Sequence, residues 1–287
     1  MYRSYTYAAR YRGTAVKPST PARLTAPKMD NTALAVLGAS VVGLHCAGIC
    51  GTPVKPSFLS TASVTVKNTM ELKKALASKT NLILLDASGT FTNVAVKVTA
   101  PCTILSQGGQ ARLHGTGSKD VFTVDCDAGN PVIIKNIAIR DGGIFISRAS
   151  VVIEECSLLS APNDAILANA GSSVEIYATS IAKADCNGVS VLDGSQLVLT
   201  GGAIEDCGEN GVAAMGQKAD PQTHVEVVGA TIQRNGSRGV WADEGAVIQV
   251  DKCTVRDNAK QNFRATSSPK GGARTSAITG VPKELVL

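Results

Sequence analysis

Aromatic side chains make up only 4% of the 287 residues, with a single tryptophan, Trp241. That scarcity excludes a core built on large rings and leaves small and β-branched side chains to fill the interior. Histidine is equally sparse. His45, His114 and His224 lie far apart, and no Ser/His/Asp arrangement, P-loop or dinucleotide fingerprint accompanies them. The eight cysteines include no Cys-x-x-Cys pair, so the common zinc and redox motifs are missing. Helical spacing is absent from the second half, which removes helical bundles. A basic stripe with interleaved aromatics is also absent, which removes nucleic acid as a partner. The formal charge of +5 is local: residues 1–60 hold seven basic residues and one acid, whereas the remainder holds 21 basic and 22 acidic residues.

What is present is a repeat of about 23 residues, a period typical of solenoids. Val132, Val151, Val174, Leu197, Val225 and Ile248 open six copies, at steps of 19, 23, 23, 28 and 23 residues. Ile134, Ile153, Ile176, Leu199, Val227 and Val250 follow two residues later. The next apolar positions are Ile139, Leu158, Ile181, Ile204, Ile232 and Val255, then Ile144, Ile166, Val189, Val212, Val240 and Phe263. The 28-residue step carries a polar insertion, Gly216 to His224, which should bulge outward. Apolar residues two apart mean short strands, and a repeat this small cannot bury its own apolar face. The copies must therefore stack. Asn187-Gly188, Asn210-Gly211 and Asn235-Gly236 are the expected left-handed turn positions.

Short strands at a constant coil length predict an all-β parallel β-helix. The chain resembles the right-handed parallel β-helices of the pectin-lyase-like superfamily over roughly residues 62–265. Hexapeptide left-handed helices, at about 18 residues per coil, do not fit the period. The resemblance implies a short N-terminal capping helix, which Met70 to Leu76 would supply after Val64-Thr65-Val66. It also implies a first coil at Ile83 to Phe91, continued through Val94–Val96, Thr103–Leu105 and Val121–Val124. Nine residues after each opening stand Lys183, Asp206, Arg234 and Asp257, predicting an outer column of alternating sign. Cys156 and Cys253 share the fifth position after an opening, the phase of a small inward side chain. They read as buried free thiols rather than a disulfide framework. Cys46 and Cys50 beside His45 lack the second pair that a metal site needs.

The N-terminus is a separate region. Residues 1–31 are basic and resemble a targeting segment, with no acid between Tyr2 and Pro27. Residues 32–51 include a 20-residue uncharged run, Thr32 to Gly51, long enough for a membrane anchor or signal helix. Its apolar residues include Leu34, Val36, Leu37, Val41, Val42 and Leu44. A presequence with a single anchor is the first reading; a bipartite signal cleaved near Ser60-Thr61-Ala62, or a docking arm, stays open. A linker (52–61), the β-helix (62–265) and a C-terminal tail (266–287) complete the division.

Enzymes of the resembling superfamily that cleave acidic polysaccharides use clustered acids with calcium and an Arg or Lys base, or two or three nearby carboxylates. Asn163-Asp164-Ala165-Ile166 looks like part of a hydrolase motif but lacks the second Asp, and no Gly-His-Gly or Arg-Ile-Lys follows. Asp164 and Asp185 are the weak catalytic candidates, read first as ordinary turn carboxylates. Trp241, with Lys218 and His224 of the inserted loop, marks a candidate contact patch. The expectation is a non-catalytic scaffold or interaction subunit, without cofactor or metal, joined to other protein subunits at an organelle membrane, the mitochondrion favoured over the plastid. The alternatives are a polysaccharide-binding or polysaccharide-cleaving protein and a secreted solenoid.

Overall fold

The computed structural model describes residues 63–126, 129–216, 222–266 and 275–281. The expected targeting segment, the apolar run with Leu34, Val36, Leu37, Val41, Val42 and Leu44, and Lys218 lie outside the described residues. Among the described residues no helix is long and apolar enough to cross a membrane.

The described chain winds as a right-handed parallel β-solenoid. Three parallel sheets of ten, seven and eight strands form its walls, here termed sheets A, B and C in the order each coil visits them. One coil runs through strand Val132–Lys135 in sheet A, Ile137–Arg140 in sheet B and Ile144–Ser147 in sheet C. The repeat sets the register residue by residue. Val132, Val151, Val174, Leu197, Val225 and Ile248 are successive partners in sheet A. The other apolar phases align likewise, with Ile166, Val189, Val212, Val240 and Phe263 in sheet C. These inward side chains are buried and join one core cluster. A one-residue slip would turn all of them outward, so the register is strongly specified.

The helix Thr69–Ala77 closes the N-terminal end, burying Leu72 and Ala75. Its start is capped reciprocally: Asn68 Oδ1 accepts from the Glu71 amide at 3.0 Å, and Glu71 Oε2 accepts from the Lys67 amide at 2.7 Å. At the other end the stack continues past Ala265, because Ala277–Thr279 joins sheet A beside Val247–Asp251.

The corners differ from expectation. Asn187-Gly188, Asn210-Gly211 and Asn235-Gly236 do not adopt positive φ. Left-handed residues instead recur at other corners, among them Asn136, Glu155 and Ala178 four residues after an opening, and Asp141, Ser160, Lys183, Asp206, Arg234 and Asp257 nine residues after one. Side-chain chemistry at these corners is free because the inter-coil ladder passes through them. Glu155 N donates to Tyr177 O at 3.0 Å, and Lys183 N donates to Glu205 O at 3.2 Å. Each such bond offsets the ~1–2 kcal/mol that a side chain costs in this region. The glycines of the Asn-Gly pairs serve close approach. A β-carbon on Gly188 would overlap the Ile204 Cγ2 methyl, and one on Gly211 the Ile232 Cγ2 methyl. Gly211→Ala should therefore destabilise the solenoid by about 1–3 kcal/mol, as overpacking does. A melting temperature unchanged from wild type would contradict this packing.

Candidate functional site

Asn187 and Asn210 stand one above the other inside the wall, with Asp164 at the start of their column. Asp164 is 4% exposed. Its Oδ1 accepts from the Asn187 backbone amide at 2.9 Å and from Asn187 Nδ2 at 3.0 Å. Asn187 Oδ1 accepts in turn from the Asn210 amide at 3.0 Å and from Asn210 Nδ2 at 2.8 Å. A second ladder runs through Asn235 and Asn258, with Asn235 Nδ2 donating to Asn258 Oδ1 at 2.9 Å. In the first ladder the accepting oxygen lies one coil below the amide it satisfies and in the second one coil above, and each bonds a turn amide that strands alone would leave open.

Asp185 is exposed on the outside of its coil, while Asp164 faces inward. The two carboxyls thus sit in different environments, one exposed and one buried. Asp120 was missed in the sequence. It precedes Phe122 by two residues, as Asp164 precedes Ile166, and burial raises its pKa. The shared offset was the available signal, and the structure sets Gly143 against both residues, where an added β-carbon would meet Asp164 O at 2.6 Å and Asp120 Oδ1 at 3.1 Å.

Several other charged groups are held in pairs. Arg234 Nε donates to Asp206 Oδ1 at 2.8 Å, and its Nη2 donates to Glu205 Oε2 at 2.7 Å. The alternating column thus closes at Asp206–Arg234, while Asp257 pairs sideways with Arg256 at 2.9 Å. Hydrogen bonds from Gln233 and Arg234 lower the pKa of Glu205, and that from Arg234 lowers Asp206. On sheet A, Lys135 sits 3.0 Å from Glu154, and Tyr177 donates to Glu175 at 2.6 Å. Burial, then that hydrogen bond, pushes the Tyr177 phenol up to about 12. Lys135 is raised because its glutamate partners outweigh partial burial. A general base needs a pKa near the working pH; these shifts move Tyr177 and Lys135 away from it.

On sheet C, alternation places Lys97, Thr123, Phe145, Leu167, Ser190, Ala213, Trp241 and Arg264 in one row on the side opposite the core. That row contains no carboxylate. Trp241 is half-buried and fixed: Arg238 lies 5.2 Å from its ring centroid, and its Nε1 donates to Thr266 at 3.0 Å. His224 is exposed and begins a strand of sheet A beside Gln196 and Val247, so it lies on a different wall from Trp241. Among the described residues no group of three His, Cys, Asp or Glu is placed to hold a metal ion.

The family model for the right-handed beta helix region matches residues 120–272. The chain belongs to the right-handed β-helix family. Among solved structures, this β-helix is similar to the A-module of mannuronan C-5 epimerase AlgE6 of Azotobacter vinelandii, at 12% identity over 72% of this chain and 78% of that one, with a TM-score of 0.42. It is also similar to the AlgE4 A-module from the same organism, at 14% identity over 73% of this chain and 82% of that one, with a TM-score of 0.38. No curated protein matches the β-helix in sequence.

Two measurements follow from the site. Burial pushes the Cys102 thiol up to about 12 and the Cys156 and Cys207 thiols up to about 11. At about pH 8 these three should resist iodoacetamide in the native state and react once unfolded, read by peptide mass spectrometry. Labelling of the folded protein at Cys156 would show that the wall is open there.

Glu205 and Asp206 have folded pKa values below their unfolded ones, as does Asp125, where ion pairs with Arg148 and Lys97 outweigh partial burial. Their contribution is present above the unfolded values, near ~4, and is lost as pH falls through the folded values. Asp120 acts oppositely, its contribution fading as pH rises through its raised value. The melting temperature should fall between about pH 5 and about pH 3, and Arg234→Gln should flatten that fall. Equal slopes in the two proteins would remove Arg234 as the cause.

Proposed function

We propose that this β-helix is a non-catalytic scaffold or interaction subunit, working with other protein subunits at an organelle membrane, the mitochondrial one favoured. The observation that carries the reading is the interior ladder. The carboxylate that most resembles a hydrolase acid, Asp164, is engaged by the turn amides inside the wall. A catalytic acid must reach a substrate, and this one is held where a substrate cannot enter. Asp185, its nearest candidate partner in sequence, stands outside. The membrane part of the reading rests on composition: an acid-free basic stretch from Tyr2 to Pro27, then the uncharged run from Thr32 to Gly51.

A rigid solenoid suits a scaffold because neighbouring coils hold each other along their length, so that a surface pattern keeps its spacing. Asp164→Asn keeps the oxygen that accepts from Asn187, removes the charge and puts an amide NH2 in place of the second oxygen. It should leave the unfolding free energy within about 1 kcal/mol of wild type and leave partner recovery unchanged. Native purification in mild detergent, with identification of co-purifying chains, is the direct test. Recovery of a soluble monomer that degrades polygalacturonate, with that activity lost in Asp164→Asn, would select the polysaccharide-cleaving alternative instead.

A further inference from the structure

The two ends of the stack are finished differently. The helix Thr69–Ala77 covers the first coil. At the other end Thr254–Arg256 is the last strand of sheet B and Gln261–Ala265 the last of sheet C, and among the described residues no strand pairs with their outer edges. The core registers the difference. Leu158, Ile181, Ile204 and Ile232 are buried in sheet B, whereas Val255, next in the same row, is only half-buried. Val255 and Phe263, which ends the inward row of sheet C, form the apolar floor of this end. Open strand edges over an apolar floor are a template for another segment of chain.

The path of the chain itself indicates which segment. In three preceding coils the corner out of sheet A falls four residues after the opening, at Gly201, Gly229 and Lys252, all left-handed. Four residues after Ile278 stands Pro282, and proline cannot adopt positive φ. The left-handed residue is instead Gly280, at φ +83°, level with Val250 and two residues early. It lies directly on the strand below: a β-carbon there would overlap the Val250 carbonyl. Val255 follows its corner, Lys252, by three residues. Three residues after Gly280 comes Lys283, whose charge has no place in the core row. Neither count continues the coil. A corner made two residues early takes the chain off the perimeter and across the end, and Val281 already packs against the core cluster. After Val281 the sequence runs Pro-Lys-Glu-Leu-Val-Leu. The four steps from Val281 to Leu285 reach up to ~14 Å, and facing sheets lie about 10 Å apart, so the apolar run Leu285 to Leu287 can reach Val255 and Phe263.

We propose that residues 282–287 of this chain dock on the C-terminal end of the solenoid and close it, with Leu285 and Leu287 over Val255 and Phe263 and with Lys283 and Glu284 turned to solvent. The occupant is thus a segment of the same molecule, and the closure is independent of what the walls of the solenoid bind.

The test is hydrogen exchange, read by mass spectrometry, on the full chain, on a chain ending at Val281 and on Leu285→Asp/Leu287→Asp. Gln261–Ala265 should exchange at least ~tenfold faster in both variants than in the full chain, while Ile166–Asn169, in the middle of the stack, should not change. Lys283→Gln/Glu284→Gln should match the full chain. Dilution of the full chain should leave its exchange at Gln261–Ala265 unchanged, because an intramolecular contact does not depend on concentration. Four outcomes overturn the proposal. The first is unchanged exchange at Gln261–Ala265 in either apolar variant. The second is protection there that weakens on dilution, which assigns the end to a second copy. The third is equal quickening in Lys283→Gln/Glu284→Gln. The fourth is quickening along the whole stack, since a coil acts on its neighbours alone and an end contact reaches no further.

Discussion

Each coil is hydrogen-bonded to the next through its corners as well as through its strands, and the rest of the molecule depends on this. Asn136 N donates to Glu154 O and Asp141 N to Leu159 O, both at left-handed residues. The backbone bends sharply without leaving the inter-coil ladder. Buried amides at a bend would otherwise be orphaned, at a cost comparable to a lost hydrogen bond each. Given this ladder, successive coils can sit only in register, and the apolar side chains pile into continuous columns.

Polar groups enter the wall only in stacked form. The Asp164–Asn187–Asn210 column hands one oxygen per coil to the coil above, and the Asn235–Asn258 column hands one to the coil below. The thiol of Cys156 fits the same logic: it donates to Glu154 O at 3.3 Å, and the next coil places Thr179 at the same phase, where its Oγ1 accepts from the Cys156 amide at 3.3 Å. The exterior is under less constraint. Ion pairs such as Arg234–Asp206 link coils there.

The apolar phases of the repeat were legible residue by residue, because a period shared by inward positions survives in a single sequence. The capping helix was legible from its amphipathic spacing after a strand. The corners were not. Lys183, Asp206, Arg234 and Asp257 are ordinary left-handed exceptions chosen by backbone path, and their side chains carry no mark of it. The asparagines were visible, but their role was assigned to turn conformation, whereas the coordinates show carboxamides bonded across coils. Asp164 changed meaning for the same reason: a motif fragment in sequence is the base of a ladder in space.

Stacking of inward β-branched side chains at one coil spacing follows from the sequence alone, because periodic burial leaves no other regular packing for strands this short. The sequence by itself also determined the separate basic and uncharged character of residues 1–60. Only the tertiary structure decided which outward side chains became neighbours. Residues one coil apart are some 23 positions apart in the chain, so the meeting of His114 with Arg140, the separation of Trp241 from His224 and the enclosure of Asp164 are consequences of winding that no local pattern encodes.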